Sequence, residues 1–162
     1  MTEIPTHFID LDASGITPDS YPIEVGVGFP GGEYQALIQP ASYWENWSCD
    51  AQDMQQLTRE KLMSEGQLPL LVAQEMNHLF DGKILCSDNS ADCFWLDVLC
   101  EAAGIEPTFS AHPLEIFIGR EPATMALAPR PAFLDHRALC DVRALEACVS
   151  LYLQKGSRSI EE

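Results

Sequence analysis

Two short stretches near opposite ends of a 162-residue chain hold its most reactive combination of side chains. Phe8-Ile-Asp-Leu-Asp-Ala-Ser-Gly15 sets Asp10 and Asp12 two residues apart, and His136-Arg-Ala-Leu-Cys-Asp141 sets a histidine five residues before a third aspartate. Asp92 lies between them, at the end of Ser87-Asp-Asn-Ser-Ala-Asp92. Carboxylates are hard oxygen ligands for Mg²⁺ or Mn²⁺, and a histidine with its ordinary pKa of about 6.5 takes a proton at neutral pH. Four acids and one histidine are the set that two-metal phosphodiester hydrolysis needs: ligands for the ions and a base for the attacking water.

The elements that must position these groups follow from local pattern. Thr6 to Ala13 alternates, with Phe8, Asp10 and Asp12 on one face and His7, Ile9 and Leu11 on the other. Residues two apart on a strand have α-carbons roughly 6.6 Å apart, so both carboxylates reach one cluster. Pro22 to Phe29 and Glu33 to Gln39 read as a hairpin through Gly31-Gly32. Helical patterns cover Asp50 to Ser64 and Leu68 to Phe80, and Lys83 to Ser87 is a short apolar strand. Asn89 or Ser90 can cap the next helix, which ends at Gly104. On it Asp92, Leu96, Leu99 and Ala103 share one face, so Asp92 points toward the sheet.

Prolines 107, 113, 122, 129 and 131 break up Glu106 to Leu134 into a short strand, a short helix and a surface loop. The last helix runs from about His136 to Gln154, with Ala138, Val142, Leu145, Val149 and Tyr152 as its apolar stripe. His136 and Asp141 are about 140° apart around a helix, so both serve one site only if His136 stands at the helix entrance. Three hairpin-connected strands followed by alternating helices and strands predict a mixed α/β sheet flanked by helices.

Most of these residues also have a plainer reading: Asp10 and Asp12 solvated beyond a short strand, Asp92 capping a helix or stabilising its dipole, His136 a partly exposed polar residue. Their order and placement together are more specific than any one alone.

One domain is expected over 1–162, with a core at about 6–154 that buries roughly two-thirds of the unfolded surface. No apolar run approaches the ~18 residues of a membrane helix, and Met-Thr-Glu-Ile-Pro-Thr-His lacks the basic and apolar regions of a signal peptide. A cytoplasmic protein is therefore expected. Six cysteines without a CxxC pair read as reduced, mostly core-filling thiols. The formal charge is −16 with nine Lys and Arg, which argues against coating long nucleic acid, since nonspecific phosphate binding needs a basic footprint. It leaves room for an enzyme that grips one strand end through metal ions.

The motifs quoted above make the chain similar to the DnaQ-like 3′→5′ exonucleases of the DEDDh group, which have a ribonuclease H-like fold. The resemblance spans Phe8 to about Leu153. Phe8 to Gly15 looks like the first motif, with Pro22-Ile-Glu-Val-Gly26 beginning the second strand. Ser87 to Asp92 followed by Phe94-Trp-Leu96 resembles the second motif, and His136 to Asp141 resembles the HxxxxD third.

The resemblance implies that Asp10, Asp12, Asp92 and Asp141 hold two Mg²⁺ or Mn²⁺ ions and that His136 deprotonates the attacking water. It implies that the backbone around Ala13 and Ser14 holds the 3′-terminal nucleotide, and it implies a homodimer. Trp44, with Tyr43 and Trp47, is a candidate for stacking bases, with core filling or a subunit interface as the alternative; Arg130 and Arg137 are candidates for phosphate, with solvated or ion-paired arginines as the alternative. The expected substrate is a single-stranded end, of short RNA before DNA. Two positions depart from the family pattern. Asp12 stands where glutamate is usual, one methylene shorter, and Asp88 and Ala91 stand where an asparagine and an aromatic are usual. Mg²⁺ tolerates little geometric slack. The first departure therefore leaves open weak, Mn²⁺-favoured or absent activity, and with it a non-catalytic binding or interaction module.

Overall fold

The computed structural model describes residues 4–130 and 136–158. In β1 (Phe8–Ala13) the two-residue period sends Ile9 and Leu11 into one apolar cluster and Phe8 into the other, so Asp10 and Asp12 follow Phe8. β1 pairs antiparallel with β2 (Pro22–Phe29), and β2 with β3 (Gly32–Leu37) through a turn at Gly31, whose φ of 86° suits glycine. On its other side β1 pairs in parallel with β4 (Ile84–Ser87), and β4 with β5 (Ser110–Pro113). The strand order is β3-β2-β1-β4-β5, a mixed sheet of three antiparallel strands continued by parallel ones, as the sequence pattern predicts.

The helices are α1 (Cys49–Gln55), α2 (Arg59–Glu65), α3 (Pro69–Phe80), α4 (Ala91–Ala103), α5 (Leu114–Ile118), α6 (Arg120–Leu127) and α7 (Ala138–Arg158). Val72, Met76 and Phe80 of α3 and Leu96 and Leu99 of α4 pack with Ile9, Val25 and Val27 in the larger cluster. Leu114, Ala123, Val142, Leu145 and Val149, from α5, α6 and α7, pack on Phe8 and Cys86 in the smaller one. The sheet is thus covered on both faces, and each face of β1 meets a different helical layer.

Three expectations need correction. The single helix expected over Asp50 to Ser64 is two. Gln56 closes α1 in the left-handed region, buried Leu57 fills the corner, and Thr58 caps α2 by accepting from the Lys61 amide. The proline-rich stretch holds β5 and two helices rather than one; its last expected residues, 131–134, lie outside the described set. The last helix starts at Ala138, not His136. Among the described residues no helix is long and apolar enough to cross a membrane. All six cysteines are free, but only Cys86, Cys100 and Cys148 are buried, so core filling describes half of them.

Two features of this sheet position the site. First, β1 and β4 share register only at Phe8 and Cys86, so beyond that point β1 keeps β2 as its ladder partner. Second, the head of α7 lies directly on β2: a Cβ built on Gly26 would come within 2.8 Å of the Ala138 carbonyl carbon. Only glycine permits that approach.

Candidate active site

The second half of β1 carries the first two acids, and its last turn of sheet is where the other elements converge. The Leu11 amide has no β4 partner there and instead donates to Asp92 Oδ1 at 3.0 Å. This contact draws the N-terminus of α4 over the end of β1. Asp92 is 2% exposed, so its carboxylate faces inward rather than serving the helix dipole in solvent. Asn89 takes the capping role, its Oδ1 accepting from the Ala91 amide.

From the opposite layer α7 brings Asp141, one turn into the helix and 8% exposed. One carboxylate oxygen each of Asp10, Asp12 and Asp141 lies within 4.8 Å of the others, and one each of Asp10, Asp88 and Asp92 forms a second such group. Asp10 belongs to both. The structure therefore gathers the four aspartates picked out in the sequence and adds a fifth, Asp88, at the C-terminal end of β4. The position is the one where open α/β sheets bind ligands, outside the carboxyl ends of neighbouring strands.

The electrostatics are those of an acidic cluster held out of water. Burial pushes the Asp10 carboxyl up to about 7, with the Asp141 and Glu24 charges adding and Arg130 opposing. Burial pushes Asp12 up to about 9, helped by Asp10, Glu24 and Asp141. Asp92 is raised well above the usual carboxylate range by burial and by Asp10, against the pull of the Leu11 amide. One oxygen each of Asp10, Asp12 and Asp92 is buried without a hydrogen-bond partner. Orphaned carboxylate oxygens are costly in an apolar interior unless a cation meets them, so this donor set fits hard divalent ions.

His136 stands just ahead of α7 with a φ of 45°, half-buried and outside both carboxylate groups. It precedes the first helical residue, Ala138, by two positions, so its direction is not set by the helix that carries Asp141. The scaffold beneath is Glu24, fully buried on β2 directly opposite Asp12. Its carboxylate accepts from Arg137 Nε at 2.9 Å and from Arg137 Nη2 at 2.6 Å, and also from Gln35 and the Ala138 amide. Burial opposes its charge, but the hydrogen bonds from Arg137 and Gln35 outweigh that and hold Glu24 below the usual range. This bridge ties the head of α7 to the strand that backs Asp12.

Several other expectations are corrected. Trp44 is 5% exposed and stacks on Tyr21 with ring centroids 4.9 Å apart, so both its faces are spent in the core and none is free for a base. Tyr43, its neighbour, is exposed. Ser14 is also committed. Its amide donates to Tyr21, its hydroxyl accepts from the Tyr21 amide and its carbonyl accepts from the Ser48 amide, which leaves no backbone group for a nucleotide. Ala13 does line an open cleft of about 500 Å³ beside Asp12, walled by Ile16, Met54, Gln55 and Trp95. Arg137 is engaged by Glu24, and Arg130 is ion-paired with Asp88 and Asp141 rather than free for phosphate.

Sequence reasoning passed over Asp88 and Glu24. Asp88 follows an apolar strand, where a ligand site is expected, and Glu24 interrupts a β-branched run with a charge that needs a buried partner.

The sequence matches no protein-family model and no curated protein. Solved structures do match. E. coli exonuclease I in complex with a dT13 oligonucleotide superposes with a TM-score of 0.72 at 16% identity, covering 96% of this chain and 42% of that one. The zinc-bound form of the E. coli exonuclease I complex with single-stranded DNA gives 0.72 at 16%, over 97% and 42%. Exonuclease I in complex with the inhibitor BCBP gives 0.69 at 16%, over 96% and 43%. The chain spans about two-fifths of the length of these structures. Its mixed sheet and flanking helices are the ribonuclease H-like exonuclease fold.

Proposed function

We propose that this chain is a metal-dependent 3′→5′ exonuclease acting on single-stranded nucleic acid ends, most suited to short oligonucleotides. The observation that carries this reading is the convergence of Asp10, Asp12, Asp92 and Asp141 on one buried locus with oxygens left unpaired. Exonuclease I, with the same fold, is bound to single-stranded DNA in its complexes, which supports this substrate class. The preference for RNA expected from the sequence rests on no contact seen here, so both sugars belong in the test.

In this mechanism the four aspartates would hold two Mg²⁺ or Mn²⁺ ions, which would supply polarisation of the phosphoryl group and stabilisation of the leaving 3′-oxygen. The chain's own residues do the rest. His136, at the helix entrance and outside the ligand set, accepts the proton of the attacking water on a ring nitrogen. The Glu24–Arg137 bridge fixes the backbone that presents it. The apolar cleft beside Asp12 and Ala13 receives the terminal nucleotide, with Ile16 and Met54 exposed to meet a base or sugar.

The decisive experiment incubates 5′-labelled RNA and DNA oligonucleotides with the protein and Mg²⁺ or Mn²⁺. A ladder shortening from the 3′ end is expected, and its loss with EDTA. Absence of metal-dependent shortening of every oligonucleotide would leave the second reading, a non-catalytic binding module, which the short Asp12 side chain favours.

A further inference from the structure

Among the described residues Arg130 is the cation that pairs with two acids of the locus, and its placement is specific. Nη1 pairs with Asp88 and Nη2 donates to Asp141 Oδ1 at 3.1 Å. Asp88 belongs to one carboxylate triad and Asp141 to the other, so a single planar guanidinium spans both. The Asp88 carboxylate is completed by Asn89, whose side-chain amide donates to Oδ1 at 2.5 Å. Arg130 covers the mouth of the cluster with its side chain 23% exposed, while the unpaired oxygens of Asp10, Asp12 and Asp92 lie buried.

We propose that Arg130 is an exchangeable counter-ion of this site: it and divalent ions compete for Asp88 and Asp141, and loading the ions expels it. The proposal rests on the metal-site reading above and extends it to how the site is filled. A guanidinium cannot discharge by losing a proton at any ordinary pH, so the only way to relieve its repulsion toward an incoming dication is to move. The carboxylate lone pairs that it occupies are the ones an ion needs. Its partly exposed position, on the chain just after α6, lets it exchange into water without breaking the core; its backbone amide donates to the Leu127 carbonyl. Expulsion also frees Asp88 as the third ligand of the group it forms with Asp10 and Asp92.

The test compares wild type with Arg130→Met, which keeps the stem and removes the charge, by calorimetric titration with Mn²⁺ after circular dichroism has verified the fold. Mn²⁺ should bind the variant about tenfold more tightly, or more, because a competing cation is gone. A second measurement needs no substitution. Phenylglyoxal labelling of wild-type Arg130, mapped by mass spectrometry with exposed Arg120 as the reference, should accelerate when Mn²⁺ is added. Equal or weaker Mn²⁺ binding by the folded variant, or labelling unchanged by Mn²⁺, overturns the exchange and leaves the metal site standing. Failure of both wild type and variant to bind Mn²⁺ overturns the metal-site reading itself. If Arg130→Met does not fold, the labelling result decides.

Discussion

Asp10, Asp12 and Asp92 are acids that the fold makes reluctant to ionise, and this gives the site a pH signature. Their carboxyls in the native state lie above the roughly 4 of an unfolded aspartate, Asp10 at about 7 and Asp12 at about 9. Without divalent ions the native chain therefore holds more protons than the unfolded one across that interval. The stability this contributes is complete below about pH 4 and is lost as pH rises through about 7 and then 9. Ions need the deprotonated oxygens, so their binding strengthens over the same range. Between pH 6 and 8 the melting temperature in EDTA should fall, while the increment given by Mn²⁺ should grow; a constant increment across that range would contradict the ligand assignment. At His136 the expectation separates chemistry from binding. His136→Ala should lower kcat by about 10²–10⁴-fold, the usual contribution of a general base, and leave the Mn²⁺ increment intact because the residue lies outside both carboxylate groups. Cleavage by this variant at the wild-type rate would remove His136 from the mechanism.

Between residue and fold stands the seat of α7 on β2, which carries Asp141 and the backbone of His136. Gly26→Val would force a side chain into the Ala138–Leu139 backbone, a clash that overpacking series place at about 1–3 kcal/mol. Because the helix must shift, Mn²⁺ binding should weaken as well. Gly156→Ala, in open space further along α7, should do neither. Arg137→Ala should cost about 3 kcal/mol in chemical denaturation, since it strands the Glu24 charge in a fully buried position. The same elements show what the sequence could and could not reveal. Alternation in β1 and the apolar stripe of α4 declare which way Asp10, Asp12 and Asp92 point, because burial of the neighbouring residues fixes the face. Nothing in a linear pattern shows that Trp44 folds back onto Tyr21, or that Arg130 turns into the acids, because Trp44 and Arg130 lie in loops whose partners no periodicity links to them. The His136 to Asp141 spacing places the histidine ahead of the helix, and the structure starts α7 two residues later, at Ala138.

At the scale of the whole molecule the charge of −16 would set how the proposed nucleic-acid substrate is approached. Of the arginines near the site, Arg130 is bound to Asp88 and Asp141 and Arg137 to Glu24, and Arg143 is paired with Glu33. Proteins that neutralise Z phosphates on a single strand lose affinity with salt at a slope of about −0.7Z. A chain that meets its substrate through ions and an apolar cleft has little of this term. Its acidic field repels the phosphates over a Debye length of about 10 Å at 0.1 M salt, a repulsion that added salt weakens. With saturating Ca²⁺ in place of a catalytic ion, anisotropy of a short labelled oligonucleotide should show a nearly flat dependence of log affinity on log salt between about 50 and 200 mM. Lengthening the oligonucleotide should add little affinity, because each further phosphate enters the field of a chain with a net charge of −16. A slope of about −2 or steeper would mean about three direct Lys or Arg contacts to phosphate. The grip would then lie in a basic surface that the paired arginines of this fold do not offer.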